Sequence, residues 1–252
     1  MNRKFNLFLK IIFFGLLFIF NFNRIVFSVN NEPIADKSQL AGQYFFGDGT
    51  GVNNYLKLSQ DRIFSFKWQG CLGTYDENEG TYSYEQGVLV LFPKRPNIRE
   101  GFKGTPTHFF PISWGVRLYL IPQDQMLDFV NVINQGREPR KDKLGNFYLR
   151  EGDEKKPVEG IPVLPSQWND YLLQKPIEGK VIKVERRKVA IVNVGKKNGL
   201  KVGMLLTARD SRETRFTQLN VISVEDETAK AKTWYRDDKV RKDDIVSTKF
   251  YR

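Results

Sequence analysis

Cysteine and histidine each occur once in the 252 residues. A disulfide framework needs pairs of cysteines, so none can form within the chain. A structural zinc site built from four Cys or His ligands is excluded for the same reason. A cysteine or serine nucleophile would have to use His108 as its base, and no G-x-S-x-G elbow is present. Long apolar runs are scarce too. Only Ile11 to Phe20 is uninterrupted, which excludes a polytopic membrane protein. Acidic residues are in deficit, 29 Asp+Glu against 40 Lys+Arg, for a net charge of +11. Hydrophobic residues at 40% and charged residues at 27% suit a folded chain and exclude global disorder.

The single apolar run explains the N-terminus. Arg3, Lys4 and Lys10 form a basic head before it. Ten helical residues span about 15 Å, half a bilayer core, which fits a secretory h-region better than a spanning helix. Cleavage after Ser28, with Val26 at −3, makes residues 1–28 a signal peptide. An uncleaved N-terminal anchor is the alternative, because the apolar stretch counted from Phe5 to Phe22 is longer. No Cys follows the run, which argues against lipid attachment at an N-terminal Cys. The expected location is the periplasm or cell envelope.

Charge is distributed unevenly beyond that segment. Residues 30–160 carry 16 Lys+Arg and 17 Asp+Glu, whereas residues 161–252 carry 20 and 12. The basicity therefore belongs to the C-terminal part, and a partner selected by charge should be anionic. For an exported protein that means an acidic face of an envelope protein, lipid headgroups or a cell-wall polymer. Nucleic acid is not expected.

Strand signals dominate the chain. Tyr55 to Leu58 and Ile63 to Trp68 flank a Ser-Gln-Asp-Arg turn, with Phe64, Phe66 and Trp68 on one face. Thr74-Tyr75 and Thr81 to Tyr84 flank Asp76 to Gly80, whose composition predicts a hairpin loop. Val88 to Phe92 is stopped by Pro93, a Pro- and aromatic-rich loop that includes Thr105 to Pro111 with His108 follows, and Trp114 to Ile121 is again strand-like. The run L-x-L-x-x-D-x-x-F-x-F-x-W-x-G-C-x-G-x-Y, followed by E-G-T-Y and G-V-L-V-L, resembles the calycin-type meander of small exported bacterial proteins, lipocalin-like domains among them. That resemblance covers roughly residues 41–122 and implies a barrel, not a ligand. Met126 to Ile133 are apolar at helical spacing, so a helix near 124–135 belongs to this domain, which spans 38–150. Residues 151–176 form a Pro-rich linker with a short helix capped by Ser166.

About six more strands between residues 177 and 252 predict a second small barrel. The motif V-x-V-G-x-x-x-G-L-K-V-G-M at Val192 to Met204 is similar to the C-terminal domain of the flagellar assembly protein T family, with Asp243 standing where that family's closing strand has Gly. This resemblance implies a fold and a habit of assembly contacts. The overall expectation is a mainly β chain of two small antiparallel barrel-like domains joined by a helix and a Pro-rich linker.

The candidate sites are few. Phe64, Phe66, Trp68 and Tyr82, with Tyr75 and Tyr84, either line a ligand cavity or fill the first barrel, and filling is preferred. Arg186, Arg187, Lys188, Lys196, Lys197 and Lys201 lie on two turns, and Arg209, Arg212 and Arg215 on a third. Convergence of those turns at one barrel end would make a cationic rim for the anionic partner. Cys71 and His108 would serve as a dyad only if the fold brings them together. Asp76, Glu77 and Glu79 read as solvated turn carboxylates, and Gly47 to Gly51 as a glycine-rich turn without P-loop or EF-hand spacing. No metal or cofactor is expected. The reading is a non-catalytic exported module that binds through its basic C-terminal barrel; the alternative is a lipocalin-like carrier of a small apolar ligand.

Overall fold

The computed structural model describes residues 37–47, 51–97, 104–139, 147–158, 160–185, 189–233 and 239–250. The expected targeting segment lies outside them. Residues 32–252 make one compact unit.

Eight strands close the first barrel in chain order: β1 (Gly42–Gly47), β2 (Asn53–Leu58), β3 (Ile63–Gly70), β4 (Gly73–Glu85), β5 (Val88–Pro93), β6 (His108–Trp114), β7 (Arg117–Pro122) and β8 (Tyr148–Arg150). Period-two alternation drives the closure. On β3, Phe64 and Phe66 are buried while Ile63, Ser65 and Lys67 are exposed. The inward set from all strands, including Tyr44, Leu56, Tyr84, Leu89, Phe109 and Tyr148, forms one apolar cluster. Closure gives every strand a neighbour on both sides. Gln86 (φ 51°) and Gly87 (φ 80°) form the tight β4–β5 turn, whose positive φ angles match the twist of a hairpin.

Three local expectations are corrected here. Asp76 to Gly80 is not a loop: β4 runs unbroken for 13 residues. Its turn-like composition arises because Glu77 and Glu79 point to solvent, whereas Asp76 and Asn78 are buried inward. Gly80 marks a point of close approach, since a Cβ there would stand 2.0 Å from the Phe92 carbonyl oxygen and 2.8 Å from the Phe64 ring. Gly80→Ala is therefore expected to cost about 1–3 kcal/mol through overpacking, read from urea denaturation. Next, His108 to Pro111, taken as loop, open strand β6, which pairs with β5 only at Leu89↔Phe109 and Val90↔His108. Pro111 is tolerated because that pairing has already ended when it is reached. Finally, Trp114 to Ile121 is not one strand, for Gly115 (φ 58°) turns the chain between β6 and β7.

The connection from β7 to β8 carries helix α1 (Met126–Asn134). Met126, Phe129, Val130 and Val132 pack on the outer face of β6–β8, against Phe110, Ile112, Trp114, Tyr119, Ile121 and Leu149. Phe129 meets Tyr119 and Phe147 at ring-centroid distances of 5.5 and 5.3 Å. The linker is packed as well. Leu164 joins this second cluster, with Trp168, Tyr171 and Leu172 against it. The short helix α2 (Ser166–Asn169) starts one residue earlier than expected: Pro165 occupies the N-cap, without a side-chain capping bond, and Ser166 is the first helical residue.

The second barrel has six strands: β9 (Glu178–Glu185), β10 (Val189–Val192), β11 (Leu205–Arg209), β12 (Phe216–Val224), β13 (Ala229–Thr233) and β14 (Ile245–Ser247). They close in the order β10-β13-β12-β11-β14-β9 around Val181, Val192, Leu206, Leu219, Val221 and Val246. Helix α1 docks on this barrel through Asn131, whose amide donates to the Gly203 carbonyl (3.0 Å) and accepts from the Leu205 N–H (3.1 Å). Gly203 (φ 85°) is required there, because a Cβ would lie 2.4 Å from the Leu127 side chain. The expected two-barrel, mainly β fold is thus what forms, with the helix packed between the barrels.

Candidate functional site

The turn carrying Lys196, Lys197 and Lys201 and the turn carrying Arg209, Arg212 and Arg215 do not share one end of the second barrel. Neighbouring strands of the second barrel are antiparallel, so the β9–β10, β11–β12 and β13–β14 connections share one end and the β10–β11 and β12–β13 connections share the other. Arg209, Arg212 and Arg215 belong to the first end; Arg186, Arg187 and Lys188 lie outside the described residues. Lys196, Lys197 and Lys201 belong to the opposite end. There Lys197 pairs with Glu227 of the acidic β12–β13 turn. Lys201 stands 3.6 Å from Asp170 and lies over the Tyr171 ring at 5.2 Å, so it ties the barrel to the linker. Arg209 pairs with Glu213, and Arg215 meets the nearly buried Asp244 at 2.5 Å. Arg212 is exposed. Of the six described basic turn residues, four are therefore paired with carboxylates of this chain.

Uncompensated positive charge lies instead on the barrel wall. Register places Lys183, Ile191 and Lys230 in one outward row and Glu185, Val189 and Lys232 in the next. These six positions hold three lysines against one glutamate. Glu185 is shared by Lys183 at 3.8 Å and Lys230 at 3.5 Å. Sequence reading missed this wall because the lysines are spread over β9 and β13, 40 or more positions apart in the chain, and only the pairing order makes them neighbours.

A concavity of about 470 Å³ opens on the outer face of β1–β4. Two outward rows cross it: Phe45, Tyr55, Lys67 and Glu77, then Gln43, Lys57, Ser65 and Glu79. Phe45 and Tyr55 are in ring contact at 5.2 Å. Arg95 closes one side, held by backbone bonds of 3.2 and 3.4 Å to the buried Asn78 side chain. Its guanidinium donates to the Glu77 carbonyl (2.9 Å) and approaches the Glu77 carboxylate at 3.8 Å. Glu79 accepts from Lys94 at 3.0 Å, and this bond holds its carboxyl below the usual carboxylate range. The polar half of each amphipathic strand was legible in sequence, but the concavity it lines was not.

The remaining candidates are placed as follows. Phe64, Phe66 and Tyr82 stand in the first barrel's interior, at 0, 3 and 6% exposure, and Trp68 is packed against that cluster. Tyr75 contacts Trp68 at a ring distance of 5.4 Å. Burial holds the Tyr44 and Tyr148 phenols far above their usual range, so neither is suited to proton transfer near neutral pH. Cys71 is exposed at the β3–β4 turn. His108 pairs with Val90, and Val90 with Ser83, ten residues along β4 from Gly73. That is roughly 33 Å of strand, so the two never form a dyad. Asp76 is turned away from Glu77 and Glu79, and the described residues contain no group of three or more His, Cys, Asp or Glu that could hold a metal. Gly47 ends β1 with its Cα hydrogen facing Asn53; Asp48 to Thr50 lie outside the described residues. No described helix is long and apolar enough to cross a membrane.

No protein-family model matches the chain, and no curated protein is similar to it in sequence. Among solved structures, the crystal structure of the Cpx pathway activator NlpE from Escherichia coli is similar at 11% identity, over 71% of this chain and 80% of that one, with a TM-score of 0.22. Likeness at that level sets no constraint on the fold or role of this chain.

Proposed function

We propose that this chain is an exported, non-catalytic module of the cell envelope whose second barrel docks on an anionic lipid surface. The apolar run Ile11 to Phe20 behind a basic head supports export. One observation carries the docking: Lys183, Lys230 and Lys232 surround Val189 and Ile191 in two outward rows whose one carboxylate, Glu185, is already shared. Lysine stems covering half-buried aliphatic side chains suit a headgroup layer, where ammonium groups meet phosphates and the stems remain on apolar surface. Arg186, Arg187 and Lys188, next in sequence to this face, would add to the attraction.

The test is co-sedimentation with vesicles containing about one-third phosphatidylglycerol. Each lysine near an anionic surface contributes about 1 kcal/mol, so the Lys183→Glu/Lys230→Glu/Lys232→Glu variant should bind at least tenfold more weakly. Raising salt from 0.05 to 0.5 M should have a similar effect, as screening requires (~14 to ~4 Å Debye length). Equal binding to neutral phosphatidylcholine vesicles, or an unaffected variant, would sink the proposal.

A further inference from the structure

We infer that the groove on the outer face of β1–β4 is a binding site for a short acidic saccharide. Its volume, about 470 Å³, falls within the range of small-ligand sites. Its two glutamates are engaged by Arg95 and Lys94. That leaves Lys57 and Lys67 as the charges facing an incoming ligand. Tyr55 pairs with Lys67 and Lys57 with Ser65, so the two lysines are diagonal neighbours on adjacent strands. Such positions are about 7–8 Å apart, a spacing that two ammonium groups can close around one carboxylate or phosphate.

The other lining groups select the ligand class. Tyr55 is 41% exposed and braced by Phe45, which makes a fixed aromatic platform beside the two lysines. An aromatic face suits the C–H face of a sugar ring. Gln43, Gln69 and Ser65 supply donors and acceptors that match ring hydroxyls. An acidic peptide is the competing occupant. Extended peptides usually gain affinity by adding a strand to a sheet edge, and strands β1–β4 beneath the groove are each paired on both sides. Helix α1 packs over β6–β8 and not over the strands that line this groove. The site is separate from the lysine wall of the second barrel, and the two proposals stand or fall independently.

Calorimetric titration of the full-length protein with tri-galacturonic acid provides the test. Lys57→Gln/Lys67→Gln and Tyr55→Ala, all at exposed positions, should each lower affinity at least tenfold. Neutral maltotriose should bind at least tenfold more weakly than the acidic trisaccharide. The Lys183→Glu/Lys230→Glu/Lys232→Glu variant should titrate like the parent, which separates this site from the proposed lipid contact. Circular dichroism of each variant checks that the fold is retained, and amide shifts at Tyr55 and Lys67 in the parent report the site without any substitution. No binding, or equal binding of maltotriose, would overturn the proposal. Tri-glutamate binding as tightly would reassign the groove to acidic peptides, and inorganic phosphate binding as tightly would reduce it to a simple anion site.

Discussion

Asn131→Ala should uncouple the two barrels and cost about 2–5 kcal/mol. Asn131 is nearly buried on α1, yet its amide is spent wholly on the second barrel. Truncation leaves the Gly203 carbonyl and the Leu205 N–H facing an apolar helix surface. Each lost partner costs about 1–3 kcal/mol where water cannot replace it. A second clamp of the same kind lies one turn along the helix, where Asn134 donates to the Tyr171 carbonyl (2.8 Å) and accepts from the Leu173 N–H (3.0 Å). Phe250 N–H donates to the Gln135 carbonyl at 3.1 Å, and Arg137 lies 5.1 Å from the Phe250 ring. These contacts make residues 32–252 one unit. A single thermal transition in the parent should therefore broaden or split in Asn131→Ala, followed by far-ultraviolet circular dichroism. An unchanged transition would mean that water reaches the two backbone groups and that the docking rests on apolar contact.

How much of this was legible in the sequence differs by level. Strands with period-two alternation, such as β2 and β3, were plain, because one face must be apolar wherever a barrel has an inside. Residues 76–80 misled because Asp, Asn and Gly are turn formers by local chemistry, while their role here is set by position. Asp76 and Asn78 are inward polar groups, and Gly80 is small because Phe92 and Phe64 crowd it. Strand β6 was hidden by Pro111, which usually ends strands and here sits where pairing with β5 has ceased. Surface sites were least legible. Basic turns close in sequence, Lys196 to Lys201 and Arg209 to Arg215, fell at opposite ends of the second barrel, and lysines far apart in sequence met on its wall. Both outcomes follow from strand order, a non-local property that no local pattern encodes. The same holds for the groove, whose two rows exist only once three strand registers are known.

Closure of the first barrel predicts the other large effect. Strand β8 has three residues and is the seam between β7 and β1. It pairs with β7 only at Tyr119↔Leu149 and Leu120↔Tyr148, so the next donor along β7, the Leu118 N–H, has no strand partner on that side. Asp153 supplies one. Its carboxylate is 1% exposed and accepts from Leu118 N–H at 2.8 Å, Arg150 Nε at 3.2 Å and Lys156 Nζ at 2.6 Å. Buried Arg117 secures the same segment, donating to the Lys156 carbonyl (2.6 Å) and pairing with Glu138 at 3.3 Å. Asp153→Ala removes the acceptor and strands a backbone N–H and two cations. Breaking a buried charged network by removing one member costs about 3–5 kcal/mol, and the partial exposure of Arg150 and Lys156 sets the expectation at the lower end. Urea denaturation should show that loss, and the Leu118 and Leu120 amides should exchange faster than amides of β3. Asp153→Asn retains an acceptor for Leu118 and should lose less, which separates closure of the seam from the charge itself. If Asp153→Ala costs under about 1 kcal/mol and the Leu118 amide stays protected, the seam is held by its apolar side chains and not by the carboxylate.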